Sequence, residues 1–351
     1  MSLFSHPDFD SHEAVHAFCD PESGLRAFIG VHNTNRGPAS GGTRFWTYDS
    51  DADALADVLR LSRAMSYKNA MAQLDIGGGK AVIMRPKGEF DRKALFTSYG
   101  QAIETIGGTY ITAEDVGVSP EDMAVIKTQT DHVAGLTFGE NASGDPSPVT
   151  AEGVFRGIKV AALKAYGSND LDGRTVAVQG LGSVGYALAE HLFKAGAKLI
   201  VADIDLQIVQ RAEDELNAEI VPVDAIHAVE ADIFSPCALG GAINVASLTE
   251  VKATIVAGAA NNQLRTPEMA EALRARNILY APDYVINAGG IINVAAEVSG
   301  DFDPNWVQQK LNQLEETLAD VFDRAATEGR TTAEVADEMA RERMAAIRNW
   351  R

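Results

Sequence analysis

Three glycine-rich stretches and a few charged side chains carry the chemistry legible in this sequence of 351 residues. Two of the stretches come early, as Gly41-Gly42-Thr43-Arg44 and Gly77-Gly78-Gly79-Lys80, with Lys68 between them. A lysine beside three glycines sits against closely approaching backbone with little water. Desolvation, or a second cation nearby, favours the neutral amine that a general base must be, and this suits Lys80. Taken singly, each lysine also reads as a solvated surface group, and Asp115, just before Gly117, also reads as a turn-forming aspartate.

The third stretch is Gly180-Leu181-Gly182-Ser183-Val184-Gly185. It leaves an expected strand, Thr175-Val-Ala-Val178, and opens an expected helix whose Val184, Ala187, Leu188, Leu192 and Ala195 share one face before Gly196. In that setting the glycines permit a tight turn, close approach to a pyrophosphate and close packing of helix on strand. The helix N-terminus adds unpaired N–H groups and a field that favours an anion. Asp203 ends the next strand, 23 positions after Gly180 (203 − 180), where a carboxylate accepts hydrogen bonds from an adenosine ribose. Asp205 follows and no Lys or Arg comes before Arg211, so NAD is expected rather than NADP. The alternative is a glycine turn with a carboxylate cap.

These groups need elements to hold them. The fold class is α/β with two domains. An N-terminal mixed α/β domain over 1–140 is expected to hold substrate and subunit contacts, and a doubly wound Rossmann-type domain over 141–330 to hold NAD. The boundary falls in 139–150, where Gly, Ser, Pro and Asn crowd together and a hinge is expected. Residues 26–31, 81–84 and 109–112 read as strands of the first domain, and Leu55, Val58, Leu59 and Met65 as a helix face. Ser119-Pro120-Glu121-Asp122 has a cap, an N-terminal proline and early acids, and so starts another helix. After the glycine loop, strands are expected at 198–202, 232–234, 254–257 and 278–280. From about 303 onward the chain is helical, and the last helix, about 330–351, is expected to pack back on the first domain.

The formal charge of −19 disfavours nucleic acid and anionic membrane as partners. No stretch is apolar enough to span a membrane, and the N-terminus lacks a basic region followed by an apolar run, so the cytoplasm is expected. Only Cys19 and Cys237 occur, too few and too far apart for a disulfide framework or a zinc site, and no metal is expected.

The early motifs recur in order with Ala113-Glu-Asp115-Val-Gly, Pro146-Ser-Pro-Val-Thr150, Ser235-Pro-Cys237-Ala-Leu-Gly, Ala257-Gly-Ala-Ala-Asn261-Asn262-Gln and Ala281-Pro-Asp-Tyr-Val-Ile-Asn287-Ala-Gly-Gly290. Together they resemble the glutamate, leucine, phenylalanine and valine dehydrogenase family over most of the chain, and are most similar to its leucine-specific members. The resemblance implies oxidative deamination of an L-amino acid to a 2-oxo acid and ammonia, and the reverse. It implies that Lys68 binds the substrate carboxylate, that Lys80 is the catalytic lysine and that Asp115 shuttles protons at the amino group. Thr150, Gly180 to Gly185, Asp203, Cys237, Ala238 and Asn261 would line NAD, and Asn262 would touch substrate or nicotinamide. It also implies a homo-oligomer, from dimer to octamer, with a cleft that closes on substrate.

Ser40 stands before Gly41 where glutamate-specific members carry lysine, and Val294 where they offer a hydroxyl. A distal carboxylate would therefore be buried without a partner. Gly41, Ala113, Ile291 and Val294 complete a mostly apolar pocket that suits leucine, isoleucine or valine. Ser40 is smaller than the aliphatic residue of leucine-specific members, so an aromatic substrate such as phenylalanine is the alternative. A different class, a non-catalytic dinucleotide-binding regulator, would not need Lys68, Lys80 and Asp115 together.

Overall fold

The computed structural model describes residues 3–136, 144–298 and 303–346. Two compact units form: Met1–Gly144, Val294–Pro304 and Ala340–Arg351 make the first, and Asp145–Asn293 with Asn305–Met339 the second.

The first unit is built on five strands. They are β1 (Ala14–Asp20), β2 (Leu25–Asn33), β3 (Ala39–Trp46), β4 (Gly77–Met84) and β5 (Tyr110–Glu114), in the order β1-β2-β4-β3-β5. The pairs β1/β2 and β2/β4 are antiparallel, whereas β3 runs parallel to both β4 and β5. Helix α1 (Asp51–Met71) starts at Ser50, whose side chain accepts a hydrogen bond from the Asp53 N–H, and lays Ala54, Val58 and Leu59 on one face of the sheet beside Val82. On the other face α2 (Arg92–Thr105) and α3 (Pro120–Lys127) bury Leu95, Phe96, Tyr99, Met123 and Ile126 against Ile29, Phe45 and Ile83. The start of α3 carries the expected proline and a full capping box between Ser119 and Asp122.

Sequence periodicity misses β1 and β3, and it begins β4 only at Ala81. Glycine weakens a strand interior, so Gly41, Gly42 and Gly77 to Gly79 read as breaks. In the folded chain they lie inside β3 and β4 because neighbouring backbone comes too close to admit a side chain: a Cβ on Gly78 would run into Ser66 of α1, and one on Gly77 into the Asn33 carbonyl.

The second unit opens with α4 (Ser147–Tyr166). Six parallel strands follow, β6 (Thr175–Gln179), β7 (Lys198–Ala202), β8 (Glu219–Ile220), β9 (Ile233–Pro236), β10 (Ile255–Val256) and β11 (Leu279–Tyr280), with α5 (Ser183–Lys194), α6 (Leu206–Leu216), α7 (Val245–Glu250) and α8 (Glu268–Ala275) among them. Their order, β11-β10-β9-β6-β7-β8, reverses direction at β6 and is that of a doubly wound dinucleotide fold. Then come α9 (Asp283–Ile286), α10 (Gly289–Val298), α11 (Pro304–Glu328) and α12 (Thr332–Ala345).

The sequence reading keeps residues 294–304 with the dinucleotide unit, but the structure groups them with the first. The reason is local: the Glu297 carboxylate accepts the N–H groups of Gly135 (3.0 Å) and Leu136 (3.1 Å). Near the end of α12, Arg341 donates to the Tyr67 hydroxyl at 3.0 Å and Arg343 to the Met71 carbonyl at 2.8 Å. Of the expected hinge, 139–143 lie outside the described residues, as do 347–351 of the last helix.

Candidate active site

Side chains alternate across a strand, so Ser40, Gly42 and Arg44 of β3 share one face of the first sheet. Register sets Ser40 opposite Gly78 and Ile111, and Gly42 opposite Ala113. This is the face on which α1 packs, since Arg44 reaches Asp57 of α1 at 2.9 Å. Thr43, pointing the other way, bonds the Tyr99 hydroxyl of α2 and, at 2.6 Å, the Thr112 hydroxyl.

Lys80, only 6% exposed, places its Nζ 3.1 Å from Asp115 Oδ2. The same oxygen lies 3.4 Å from Arg44 Nε. Asp115 gets this close because Gly42 has no side chain: a Cβ there would lie 2.8 Å from the Asp115 Cβ. Burial alone would push the Asp115 carboxyl up, but Lys80, and then Arg44, outweigh it and hold it below the usual aspartate value. Two cations thus converge on one partly buried carboxylate oxygen.

Lys68 lies in the last turn of α1, half-buried. A Cβ on Gly41 would meet Met65 of the same helix at 3.1 Å. Ser40 is wholly buried and its hydroxyl has no hydrogen-bond partner. Ala113 and Val294 flank Gly135, at 3.7 and 3.9 Å from where its Cβ would be. Ile291 and Asn262 belong to the second unit, and Asn262 takes a positive φ of 52°.

In the second unit Gly180, Asp203, Cys237 and Ala238 follow directly on the carboxyl ends of β6, β7 and β9, the edge where ligands bind in folds of this type. Gly180 ends β6 with φ +95°, and its Cβ would lie 2.7 Å from that of Ala238. A Cβ on Gly185 would lie 3.2 Å from the Cys237 Cβ. Asp203 accepts the Leu181 N–H at 2.6 Å with one oxygen and the Asp205 N–H at 2.9 Å with the other. Asn261 Oδ1 accepts from the Asn287 amide at 2.7 Å. The Thr150 hydroxyl donates to the Pro146 carbonyl in the first turn of α4, and a Cβ on Gly290 would lie 2.8 Å from it. The Cys237 thiol is pushed up by burial and stays protonated.

The sequence reading gave no role to Arg44, Asp57, Tyr48 or Gly135. Arg44 could have been found from strand alternation with Ser40 and Gly42, had β3 been read as a strand. Asp57 is two positions along α1 from Leu55 and carries no motif.

Comparison with known proteins decides the family. A model of the Glu/Leu/Phe/Val dehydrogenase dimerisation domain matches residues 12–132, and one of glutamate/leucine/phenylalanine/valine dehydrogenase matches 203–349. A leucine dehydrogenase of Geobacillus stearothermophilus is 47% identical over 100% of this chain and 95% of its own. This chain belongs to that dehydrogenase family. It is an amino-acid dehydrogenase. A valine dehydrogenase of Streptomyces coelicolor is 44% identical over 98% of this chain and 95% of its own. Among solved structures, the L-tryptophan dehydrogenase of Nostoc punctiforme superposes with a TM-score of 0.85 at 38% identity, covering 95% of this chain and 96% of the other.

The dehydrogenase has room for its dinucleotide. Gly182 caps α5 without any side-chain bond to the helix N–H groups, and a Cβ there would meet nothing within 4 Å. Beside it opens a cleft of about 590 Å³ lined by Leu181, Ser183, Asp203, Asp205 and Arg211 among others. Free N–H donors for a diphosphate and carboxylates for a ribose therefore lie side by side. Among the described residues, no helix is long and apolar enough to cross a membrane.

Proposed function

We propose that this dehydrogenase oxidatively deaminates a branched-chain L-amino acid, leucine first, with NAD, and runs the reductive amination in reverse. The observation that carries the reading is the buried Lys80 amine held 3.1 Å from the partly exposed Asp115 carboxylate. A regulator that only sensed dinucleotide would have no use for a lysine buried against a carboxylate at this distance.

When bound, NAD accepts hydride from the substrate α-carbon. Lys68 stays charged and holds the substrate carboxylate. Lys80, as the neutral amine, takes a proton from the water that attacks the C=N carbon. Asp115, ionised, accepts a proton from the attacking species and returns it to departing ammonia. Thr150, Gly180 to Gly185, Asp203, Cys237, Ala238 and Asn261 hold NAD, and Asn262 orients substrate or nicotinamide. Residues 1–140 serve the amino acid and subunit contacts, and 141–330 serve NAD. The match to a dimerisation domain supports a homo-oligomer, from dimer to octamer. Two free cysteines fit the reducing cytoplasm.

The substrate preference is supported by the aliphatic pair Ala113 and Val294 around Gly135, and by kinship with a leucine dehydrogenase. Ser40 favours a second reading, an aromatic substrate, because it is smaller than the aliphatic residue of leucine-specific members, and the L-tryptophan dehydrogenase shares the fold. NADH production at alkaline pH with leucine, isoleucine, valine, phenylalanine, tryptophan and glutamate, each with NAD or NADP, tests both. Branched-chain turnover with NAD is expected, aromatic preference would replace it with the second reading, and turnover of none would overturn the proposal.

A further inference from the structure

We infer that Arg44 is a positioning residue of the dehydrogenase, holding Asp115 in place and ionised during the part of the cycle in which Lys80 is neutral. The inference rests on the proposed roles of Lys80 and Asp115 and adds what they leave unsolved. Lys80 attracts Asp115 while it is charged, but a base must first be neutral, and that attraction then disappears. A partly buried carboxylate left without a cation takes up a proton more readily and loses its function. A second cation that never deprotonates prevents this, and guanidinium is that group.

The geometry fits. Arg44 Nε points to Asp115 Oδ2 at 3.4 Å, and Arg44 Nη1 donates to Asp57 Oδ2 at 2.9 Å. The same Asp57 oxygen accepts the Tyr48 hydroxyl at 2.7 Å. One planar fork therefore joins a carboxylate after β5 to a carboxylate on α1. Its orientation is fixed by the bond to Asp57. The groups that bear on Asp115 are Lys80 on β4, Arg44 on β3 and, behind Arg44, Asp57 on α1 and Tyr48 after β3. Burial, and then the bond to Asp57, raises the Tyr48 hydroxyl above its ordinary range, so it stays a donor. Arg44 remains charged because Asp57 and Asp115 offset its desolvation. With Lys80 protonated the two cations balance the two carboxylates, and with Lys80 neutral Arg44 is the cation that remains.

The test is a set of pH profiles of kcat and kcat/KM for the full-length wild type, Arg44→Gln and Arg44→Lys. Removing the cation raises the pH at which Asp115 takes a proton, so in Arg44→Gln the acidic limb should move up by about one pH unit. At neutral pH kcat should fall about tenfold or more, with KM for the amino acid within about threefold of wild type. Arg44→Lys, which keeps the charge and loses the fork, should return the limb to within about 0.3 pH unit and restore part of kcat. An unmoved limb in Arg44→Gln, or a rise in KM that accounts for the whole loss, would assign Arg44 to structure or binding and overturn the inference. Should Arg44→Gln fail to fold, Arg44→Lys decides: a folded but inactive protein counts against it, and a normal limb with partial kcat supports it. A wild type inactive on every amino acid is a different failure, that of the proposed function itself.

Discussion

Both units build their chemistry on glycine-rich backbone, and the glycines serve opposite ends. In the first unit Gly41, Gly77 and Gly78 stand where any side chain would strike the unit's own chain. Their absence of bulk lets β3, β4 and α1 close up until Lys80 is shut away from water against Asp115. In the second unit Gly180 and Gly185 are crowded in the same way, but Gly182 between them faces open space beside the cleft. A crowded glycine packs protein on protein. A glycine with nothing around it, at a bare helix N-terminus, leaves room for something else.

The largest expected effect comes from the buried side of this contrast. Lys80→Ala should lower turnover about 10³-fold, because it removes the proposed base, while NAD binding followed by NADH fluorescence or calorimetry stays within about twofold. A variant with near-normal turnover would remove Lys80 from the chemistry. One that loses NAD as well would show that the first unit shapes the dinucleotide site.

A pair of identical substitutions breaks or sharpens the glycine comparison directly. Gly78→Ala drives a methyl into Ser66 and should destabilise the protein by about 3 kcal/mol, read as a lower Tm. Gly182→Ala, at φ −61° with open space around it, should leave Tm nearly unchanged and weaken NAD about tenfold. Equal Tm for the two would mean that the sheet yields around Gly78. Unweakened NAD would mean that the diphosphate passes elsewhere.

How much of this was legible in the sequence follows the same division. The second unit declares itself: its glycines lie between a strand and a helix, Asp203 falls at the end of the next strand, and strand order follows from strand and helix alternation. The two-residue strand β8 is missed, and so is the extent of β10 and β11, which are two residues each. In the first unit Lys80 and Asp115 are legible as candidates, but the strand that joins them to Arg44 is not. β3 reads Ala-Ser-Gly-Gly-Thr-Arg-Phe-Trp, without apolar alternation, and only tertiary crowding makes it a strand. Asp57 and Tyr48 become partners through a helix crossing that no local pattern encodes. Glu297 is similarly silent, being 161 positions from the Leu136 N–H it accepts.

Buried titratable groups make the first unit the acid-sensitive one. His32 is 5% exposed, shares a hydrogen bond between its Nδ1 and the Ser66 hydroxyl at 2.8 Å, and has a pKa lowered to about 4 by desolvation and by neighbouring His12. Asp10, Arg63 and Tyr67 are the other groups around it. An unfolded chain protonates this histidine near pH 6.5 and the folded one near 4, so the stability present above 6.5 is lost as pH falls through that window. About 2 kcal/mol should be gone by pH 5. Hydrogen exchange should show amides of β2 and α1 opening with acid before those of β6 and β7, and His32→Asn should flatten the dependence. Equal loss in both units, or an unchanged slope in the variant, would place the acid sensitivity elsewhere.

The smallest effect separates two tasks that one half-buried carboxylate performs. Asp203 faces the cleft and at the same time fastens the Leu181 and Asp205 N–H groups. Asp203→Ala removes both the ribose acceptor and the loop fastening. KM for NAD should rise about tenfold, and the preference for NAD over NADP should fall by a similar factor because a negative charge no longer opposes a 2′-phosphate. Asp203→Asn keeps one oxygen to accept from the loop and discards the charge with the other of the two acceptors. If repulsion is the discriminator, it should relax the NADP preference as far as alanine does while raising KM for NAD less. Should asparagine behave as wild type toward NADP, the loop's shape and not the charge chooses the cofactor, and the second unit would depend on packed backbone as fully as the first.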